Sequence, residues 1–352
     1  MAIVVDVGEP VPLGIGGTFA RAFPADEGWH LFFGAGGGLH HLSFGEDLLV
    51  EDVGRVELTG RSDLQDHAIA LCPDGTWLHA SSMTRTEADD SALAFRYDAD
   101  LARIAEATLA RDRVDRRHND LPIVCSPLVD ATASFADPYP NDAFFIALGE
   151  DASPVRETSV HWANVTGASL AHDPDTDTIV AMAVTTELYA GRFDADFELL
   201  DSRRVEAPVE GIYWPQGLLR VGDHWIVAHV ARPADSAFSQ DGGDIWLEVL
   251  DLEFAVEETV RVTELEPPDG AMRPWIGLRG ETLVVTWDRA GELHLSEVTL
   301  DLSVPDTGGA DTGAEDTLDP IPATTTCGCG GSSAWIWLGG LAGWRRRPTR
   351  TP

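Results

Sequence analysis

Gly75-Thr-Trp-Leu-His-Ala80, followed by Ala92-Leu-Ala-Phe-Arg-Tyr97, carries the phrase that decides the fold: a turn, an aromatic or β-branched run, then a second alternating run. The phrase recurs as Gly28–Phe33 with Leu39–Phe44, Asn141–Ala147 with Val155–His161, and Thr178–Ala183 with Leu188–Phe193. It returns twice more, as Asp223–Ala228 with Ile245–Leu250 and Glu281–Thr286 with Leu293–Leu300. Alternating apolar runs broken by Gly and Asp turns are strand pairs. Six copies at a mean spacing near 51 residues form an internal repeat of small sheets.

A sheet of this size cannot bury both of its own faces, and stacking copies around an axis buries them. The fold class expected is therefore all-β, a six-bladed β-propeller. A seven-bladed ring is the alternative if a degenerate unit lies in Glu87–Arg117. Arg103–Arg113 is the one stretch that could form a turn or two of helix. Propellers close by pairing their chain ends, and Ala2–Val7 is suited to lie outside Glu297–Leu302 in the last blade.

A second element precedes each turn. Asp66-His-Ala-Ile-Ala-Leu-Cys72 and Asn119-Asp-Leu-Pro-Ile-Val-Cys125 align residue for residue, and Trp162–Leu170, Tyr213–Leu219 and Arg273–Leu278 occupy comparable places. These are expected to be the innermost strands, with their starts converging at one mouth of the channel. That mouth would gather His67, Asp120, Trp162, Asn164, Trp214, Gln216, Arg273 and Trp275 as ligand-binding residues. Aromatic faces beside amide, carboxylate and guanidinium groups suit sugar or peptide recognition. Glycoside hydrolysis needs two carboxylates across the scissile bond. Asp66, Asp120 and Glu210 could supply them, with Tyr213 beside Glu210.

Ser239-Gln-Asp241-Gly-Gly243-Asp-Ile-Trp246 fits the Asp-box pattern with Ile245 in the Thr position, and Cys72-Pro-Asp-Gly-Thr-Trp77 is a partial echo. The chain thereby resembles the sialidase-like (Asp-box, BNR) propellers. In that family the box is a structural hairpin turn, capped by its Asp and distant from catalysis, so the resemblance implies the fold and not sialidase activity. A sialidase would also need an arginine cluster, for which Arg21 and Arg273 are the only matches.

The chain has 352 residues, 59 acidic against 24 basic, no lysine, and a formal net charge of −35. Such a balance excludes a generic nucleic-acid binder and opposes adsorption to anionic lipid. Cys72 and Cys125 sit in apolar runs, which predicts two buried thiols. No metal or cofactor is expected. His40 and His41 are adjacent on a strand and point to opposite faces. Asp173–Asp177 reads as a solvated hairpin turn, since it lacks the Gly and distal Glu of a calcium loop. Gly34–Gly38 joins two strands, unlike a phosphate cradle.

The repeat ends near residue 303. Residues 304–326 are mostly Asp, Gly, Thr, Ala and Pro, with Glu315 and no base or aromatic ring, the composition of a disordered acidic linker. Then come Cys327-Gly-Cys329, the apolar run Ala334–Trp344, and Arg345-Arg-Arg347 with Arg350. This order resembles the myxobacterial-type (MYXO-CTERM) C-terminal sorting signal. The resemblance implies processing at Cys327 or Cys329 by a sorting protease, a transient membrane contact, and an Arg cluster that stops transfer. As a helix, Ala334–Trp344 extends about 17 Å, short of a bilayer core of about 30 Å, so a span would also draw on the small residues upstream.

No signal peptide is visible at Met1–Gly8. The domains expected are a propeller over 1–303, a linker over 304–326 and a sorting tail over 327–352. The function expected is an exported protein at the cell surface or outer membrane, a non-enzymatic binding or scaffold module for a glycan or protein ligand. A glycoside hydrolase is the alternative.

Overall fold

A computed structural model of the chain describes residues 3–302 except 51–53, 84–91, 111–120, 136–141, 163–167, 185–186, 210, 233–241 and 268–269. Among the described residues there is no helix. The chain opens with β1 (Val4–Val7) and β2 (Val11–Gly16). Blade one is β3 (Thr18–Pro24), β4 (Trp29–Ala35), β5 (Gly38–Phe44) and β6 (Val56–Glu57); blade two is β7 (Leu64–Leu71), β8 (Trp77–Met83), β9 (Ala92–Tyr97) and β10 (Arg103–Ala110). Blade three is β11 (Ile123–Val124), β12 (Asp130–Phe135), β13 (Asp142–Leu148) and β14 (Pro154–His161); blade four is β15 (Ala168–Asp173), β16 (Thr178–Val184), β17 (Leu188–Phe193) and β18 (Leu199–Val205). Blade five is β19 (Ile212–Val221), β20 (His224–Ala231), β21 (Asp244–Leu250) and β22 (Val256–Arg261); blade six is β23 (Met272–Arg279), β24 (Thr282–Arg289) and β25 (Glu292–Leu300).

Each blade is an antiparallel meander, and the first strands β3, β7, β11, β15, β19 and β23 lie each against the next, with β23 against β3. The ring therefore has six blades. Among its described residues Glu87–Arg117 holds no seventh unit, because β9 and β10 complete blade two, and Arg103–Ala110 is extended. β1 supplies the outer strand of blade six, with Val4 opposite Leu300 and Val7 opposite Val298. Glu258 of blade five fixes this closure by accepting the Ile3 and Val4 amides at 2.8 and 3.2 Å.

Burial explains the ring. There are six apolar clusters, and each spans one pair of neighbouring blades. Alternate residues of the second strands feed opposite clusters. In β16, Ile179, Ala181 and Ala183 face blade three, whereas Val180, Met182 and Val184 face blade five. In β24, Leu283, Val285 and Trp287 face blade five and Val284 faces blade one. Period-two alternation with both faces apolar is what a sheet packed on both sides requires.

The phase of the repeat slips in blade three. Asn141–Ala147 and Val155–His161 are its third and fourth strands, where the phrase elsewhere marks the second and third. The second strand there is β12, whose small polar residues carry little pattern. A cleaner repeat lies in the turn after the third strand. Gly45-Glu-Asp-Leu48, Asp98-Ala-Asp-Leu101, Gly149-Glu-Asp-Ala152, Asp194-Ala-Asp-Phe197 and Asp251-Leu-Glu-Phe254 each end on a residue with φ between 52° and 64°. In each, that residue's amide returns to the carbonyl of the first position. The left-handed residue costs about 1 kcal/mol without a glycine. Burying its side chain offsets this: Ala152 and Phe197 are fully buried and Phe254 nearly so. Phe197 stacks on Phe145 at 4.8 Å and Phe254 lies under the Arg192 guanidinium at 4.5 Å. Blade six has no such turn, because its fourth strand comes from the chain start.

The expectation of two buried thiols is corrected. Cys72 and Cys125 form a disulfide, their Cα atoms 4.8 Å apart. Their aligned positions, one residue past β7 and one past β11, put the two sulfurs at equivalent points on neighbouring inner strands. Arg96 ties the same pair of blades, donating to Asp130 at 3.0 Å and Asp74 at 3.3 Å. Asp74 also caps its own turn, accepting the Thr76 amide at 3.0 Å, so Cys72–Trp77 is an Asp-capped hairpin. Asp173–Asp177 is likewise the β15–β16 hairpin turn.

Two outcomes follow. Opening the disulfide as Cys72→Ala/Cys125→Ala is expected to cost about 4 kcal/mol in urea unfolding, the chain-entropy value for a 53-residue separation. Asp251→Ala removes the acceptor for the Glu253 and Ala255 amides and is expected to cost about 1 kcal/mol in the same assay, with Glu253→Ala close to neutral.

Candidate functional site at the mouth of the ring

The chain enters each inner strand at the face where second-to-third-strand hairpins turn. On that face a cavity of about 550 Å³ opens between blades six, one and two. Its walls are the start of β3 (Thr18, Phe19), the start of β7 (Gln65, Asp66, His67), Arg273 of β23, and the backbone of the Gly36-Gly37 and Gly291 turns. A register shift lies at the start of all three inner strands: Thr18/Arg21, Leu64/His67 and Met272/Trp275. A bulge there turns side chains off the ladder and toward the mouth. Phe19 and Arg273 also have left-handed backbone, φ 55° and 52°, strain of the kind that clusters at binding sites.

Polar groups in this wall are held by one another. Arg273 donates from Nη1 to Asp288 Oδ2 at 2.6 Å, and the Phe19 amide donates to Asp288 Oδ1 at 3.4 Å. The Arg273 guanidinium lies over the Phe19 ring at 4.7 Å, and His67 meets the same ring edge-on at 6.4 Å. Behind them Arg21 stacks on Trp275 at 4.1 Å. Asp66 accepts from Ser82 Oγ at 2.9 Å. Burial pushes the Asp66 carboxyl upward against the pull of Ser82 and Arg273. Burial pushes Asp288 up to about 6, again opposed by Arg273. His67 Nδ1 meets His79 Nε2 at 3.1 Å, and burial holds His67 down at about 3, so the ring is neutral.

Of the ligand-binding residues expected from sequence, the structure brings His67 and Arg273 to this cavity, together with Asp66 from the carboxylate set. Trp275 is adjacent through Arg21. Trp162 is a correction. It follows the outermost strand of blade three, is 2% exposed, packs edge-on against Phe193 and donates from Nε1 to Ser202 Oγ of β18. It belongs to the core between blades three and four because Trp162 ends an outer strand instead of starting an inner one. Tyr213, Trp214 and Gln216 lie on β19, an inner strand as expected, but their side chains are outside the described residues. Asp120, Asn164, Glu210 and Asp241 of the expected Asp-box are also outside them. Cys327, Cys329 and residues 304–352 as a whole lie there too.

Sequence reasoning missed Asp288, Phe19 and Gln65. Asp288 sits at the end of a strand, before Arg289-Ala-Gly291, and reads as a turn residue. Phe19 went unnoticed because blade one's inner strand was not recognised. The available signal was Thr18–Pro24, which precedes the Gly28 turn where the other inner strands precede theirs.

No protein-family model matches the sequence, and no curated protein does. Solved structures do match. One is a subtype N10 neuraminidase-like protein from a little yellow-shouldered bat isolate, with TM-score 0.50 at 13% identity, covering 84% of this chain and 99% of the other. In fold, the chain resembles sialidase-type propellers. The phage phi92 endosialidase aligns with TM-score 0.56 at 9% identity over 89% of this chain and 72% of its own. A glucose dehydrogenase aligns with TM-score 0.52 at 12% identity over 82% and 98%. At these identities the likeness is one of architecture.

The buried imidazoles set an acid limit. His67, His79 and His41 all lie below the ordinary histidine value, His41 at about 4, chiefly through burial. The unfolded chain therefore binds more protons between about pH 6.5 and 3, and stability is lost as pH falls through that window. Asp66, Asp130 and Asp288 work the other way, their carboxyls raised by burial so that stability is gained as pH falls, Asp288 below about 6, but the displacements of the three rings are the larger. Urea unfolding at pH 7 and 4.5 is expected to show a net loss of stability at the lower pH. A paired replacement, His67→Phe/His79→Phe, is expected to flatten the dependence.

Proposed function

We propose that this propeller is a non-enzymatic recognition module that takes a glycan or peptide group into the mouth cavity between blades six, one and two. One observation carries the reading. The two carboxyls nearest the cavity are held in place, Asp288 by Arg273 and the Phe19 amide and Asp66 by Ser82, so the wall is a rigid donor and acceptor surface. The cavity volume suits a sugar ring or two or a short peptide end.

Export and surface anchoring form part of the same reading. The Cys72–Cys125 disulfide supports an oxidising compartment. The high negative charge supports solubility there. The order of linker, Cys327-Gly-Cys329, apolar run and Arg cluster supports a sorting tail of the MYXO-CTERM kind and a protease partner. The Ser239–Trp246 sequence supports an Asp-box on the hairpin of blade five.

A glycoside hydrolase is the second reading. It is favoured by the raised carboxyls of Asp66 and Asp288, since a general acid must keep its proton near neutral pH.

A glycan and peptide array with a parallel hydrolysis screen separates the two. The expected result is binding without turnover, weakened at least tenfold by Arg273→Ala. Turnover abolished by Asp66→Asn at unchanged binding would replace the binder with the hydrolase. Export is checked by the mass of the mature C-terminus: cleavage at Cys327 or Cys329 is expected, and an intact Pro352 end at the surface would remove the sorting tail from the reading.

A further inference from the structure

A neutral imidazole carries one N–H and one bare nitrogen, and a buried neighbour decides which is which. Between His67 Nδ1 and His79 Nε2, at 3.1 Å, there is room for one proton. If His67 Nδ1 supplied it, the His79 proton would sit on Nδ1. That atom is buried and has no hydrogen-bond partner. An orphaned buried N–H is the rarer and costlier fault, whereas a bare ring nitrogen in the same place leaves only an acceptor unmet. The favoured arrangement is therefore a proton on His79 Nε2, donated to His67 Nδ1. The His67 proton then sits on Nε2.

His67 Nε2 is the edge turned to the cavity. Its Cδ2–Nε2 edge lies against Gly34, where a side chain's first carbon would come 2.5 Å from Cδ2 and 3.0 Å from Nε2, and Gly34 is itself part of the cavity wall. Among the described residues Nε2 faces no protein acceptor, while His67 as a whole is 4% exposed. His79 is clamped in turn by stacking on Phe95 at 5.1 Å and on His67 at 5.3 Å.

We infer that His67 is a fixed N–H donor of the mouth cavity, its tautomer set by His79, and that it selects a ligand carrying an acyl oxygen, a carboxylate or an amide carbonyl, which has acceptor lone pairs and no proton of its own. This rests on the reading of the cavity as a binding site. Arg273 lies over the same Phe19 ring that His67 meets edge-on and lines the same cavity, so the wall that would meet the ligand oxygen also carries a cation. The amide and the carboxylate share this chemistry, and the experiment tells them apart. His79 is a positioning residue: it touches no ligand and acts through the proton it gives to His67.

Two measurements test the inference. Long-range ¹⁵N–¹H correlation of the histidine rings at pH 7 reads the tautomers in the free protein. His67 as the Nε2–H form supports the assignment, and His67 as the Nδ1–H form overturns it whatever binds. Ligand-observed NMR with N-acetylglucosamine, glucuronate and glucose then reads the selection on one sugar frame. Binding of either acyl sugar at least tenfold tighter than glucose is expected, and which of the two is preferred names the amide or the carboxylate. Equal binding of all three overturns the acyl selection. No binding by any of them, with the Nε2–H form in place, removes the cavity as a sugar site and leaves the tautomer standing, so the two failures are distinct. His79→Phe keeps the stacked ring but removes the donated proton. It is expected to mix the His67 tautomers and reduce the acyl preference several-fold, and an unchanged preference with mixed tautomers overturns the positioning role. His67→Phe is expected to abolish the preference.

Discussion

Apolar contact between neighbouring blades is the constraint on which the rest depends. A four-stranded antiparallel sheet with apolar residues on both faces has no stable existence in water by itself. Each blade here is covered on both sides only because the ring is closed, and each of its clusters draws on two blades. The β1–β25 pairing completes blade six, and the Glu258 contact with the chain start and the inter-blade disulfide act at seams between blades. Removing one blade exposes two clusters, so stability is a property of the ring and not of its parts.

The mouth is a by-product of that packing turned to use. Inner strands must begin somewhere, and the three around this cavity begin with a bulge that frees Phe19, Asp66, His67 and Arg273 from the ladder. Once freed, those groups are recaptured by each other: guanidinium on ring, ring against imidazole, carboxylate on guanidinium. A wall made this way cannot relax toward water without also breaking contacts that hold blades six, one and two together. Rigidity of that sort lowers the ordering cost of binding.

Much of this was legible in the residues. Turn, alternating run, turn is a local signal, and six copies of it declared the ring, its inner strands and its closing strand. Blade three escaped phase because β12 is built from small residues that alternate weakly. The disulfide escaped because Cys72 and Cys125 look like any buried thiols in apolar runs; only their residue-for-residue alignment hinted that neighbouring strands would bring them level. Trp162 misled because an aromatic residue after an outer strand and one before an inner strand read the same along the chain. Asp288 could not be found locally at all, since what makes it part of the wall is Arg273 from the adjoining strand and Phe19 from the adjoining blade. The acidic turns ending in Leu48, Leu101, Ala152, Phe197 and Phe254 were visible, but a buried left-handed phenylalanine is a tertiary fact.

Closure by the first strand has a kinetic side. β1 is synthesised before any other strand of the ring, and its partner β25 is the last of the ring to be made. Until then blade six lacks its edge and the clusters on both its flanks stay open. The ring must therefore wait, incomplete, until its last strand is made, with adhesive surface on show. A route that keeps the polypeptide unfolded until it has been delivered, and only then lets the circle zip shut, would spare it that exposure.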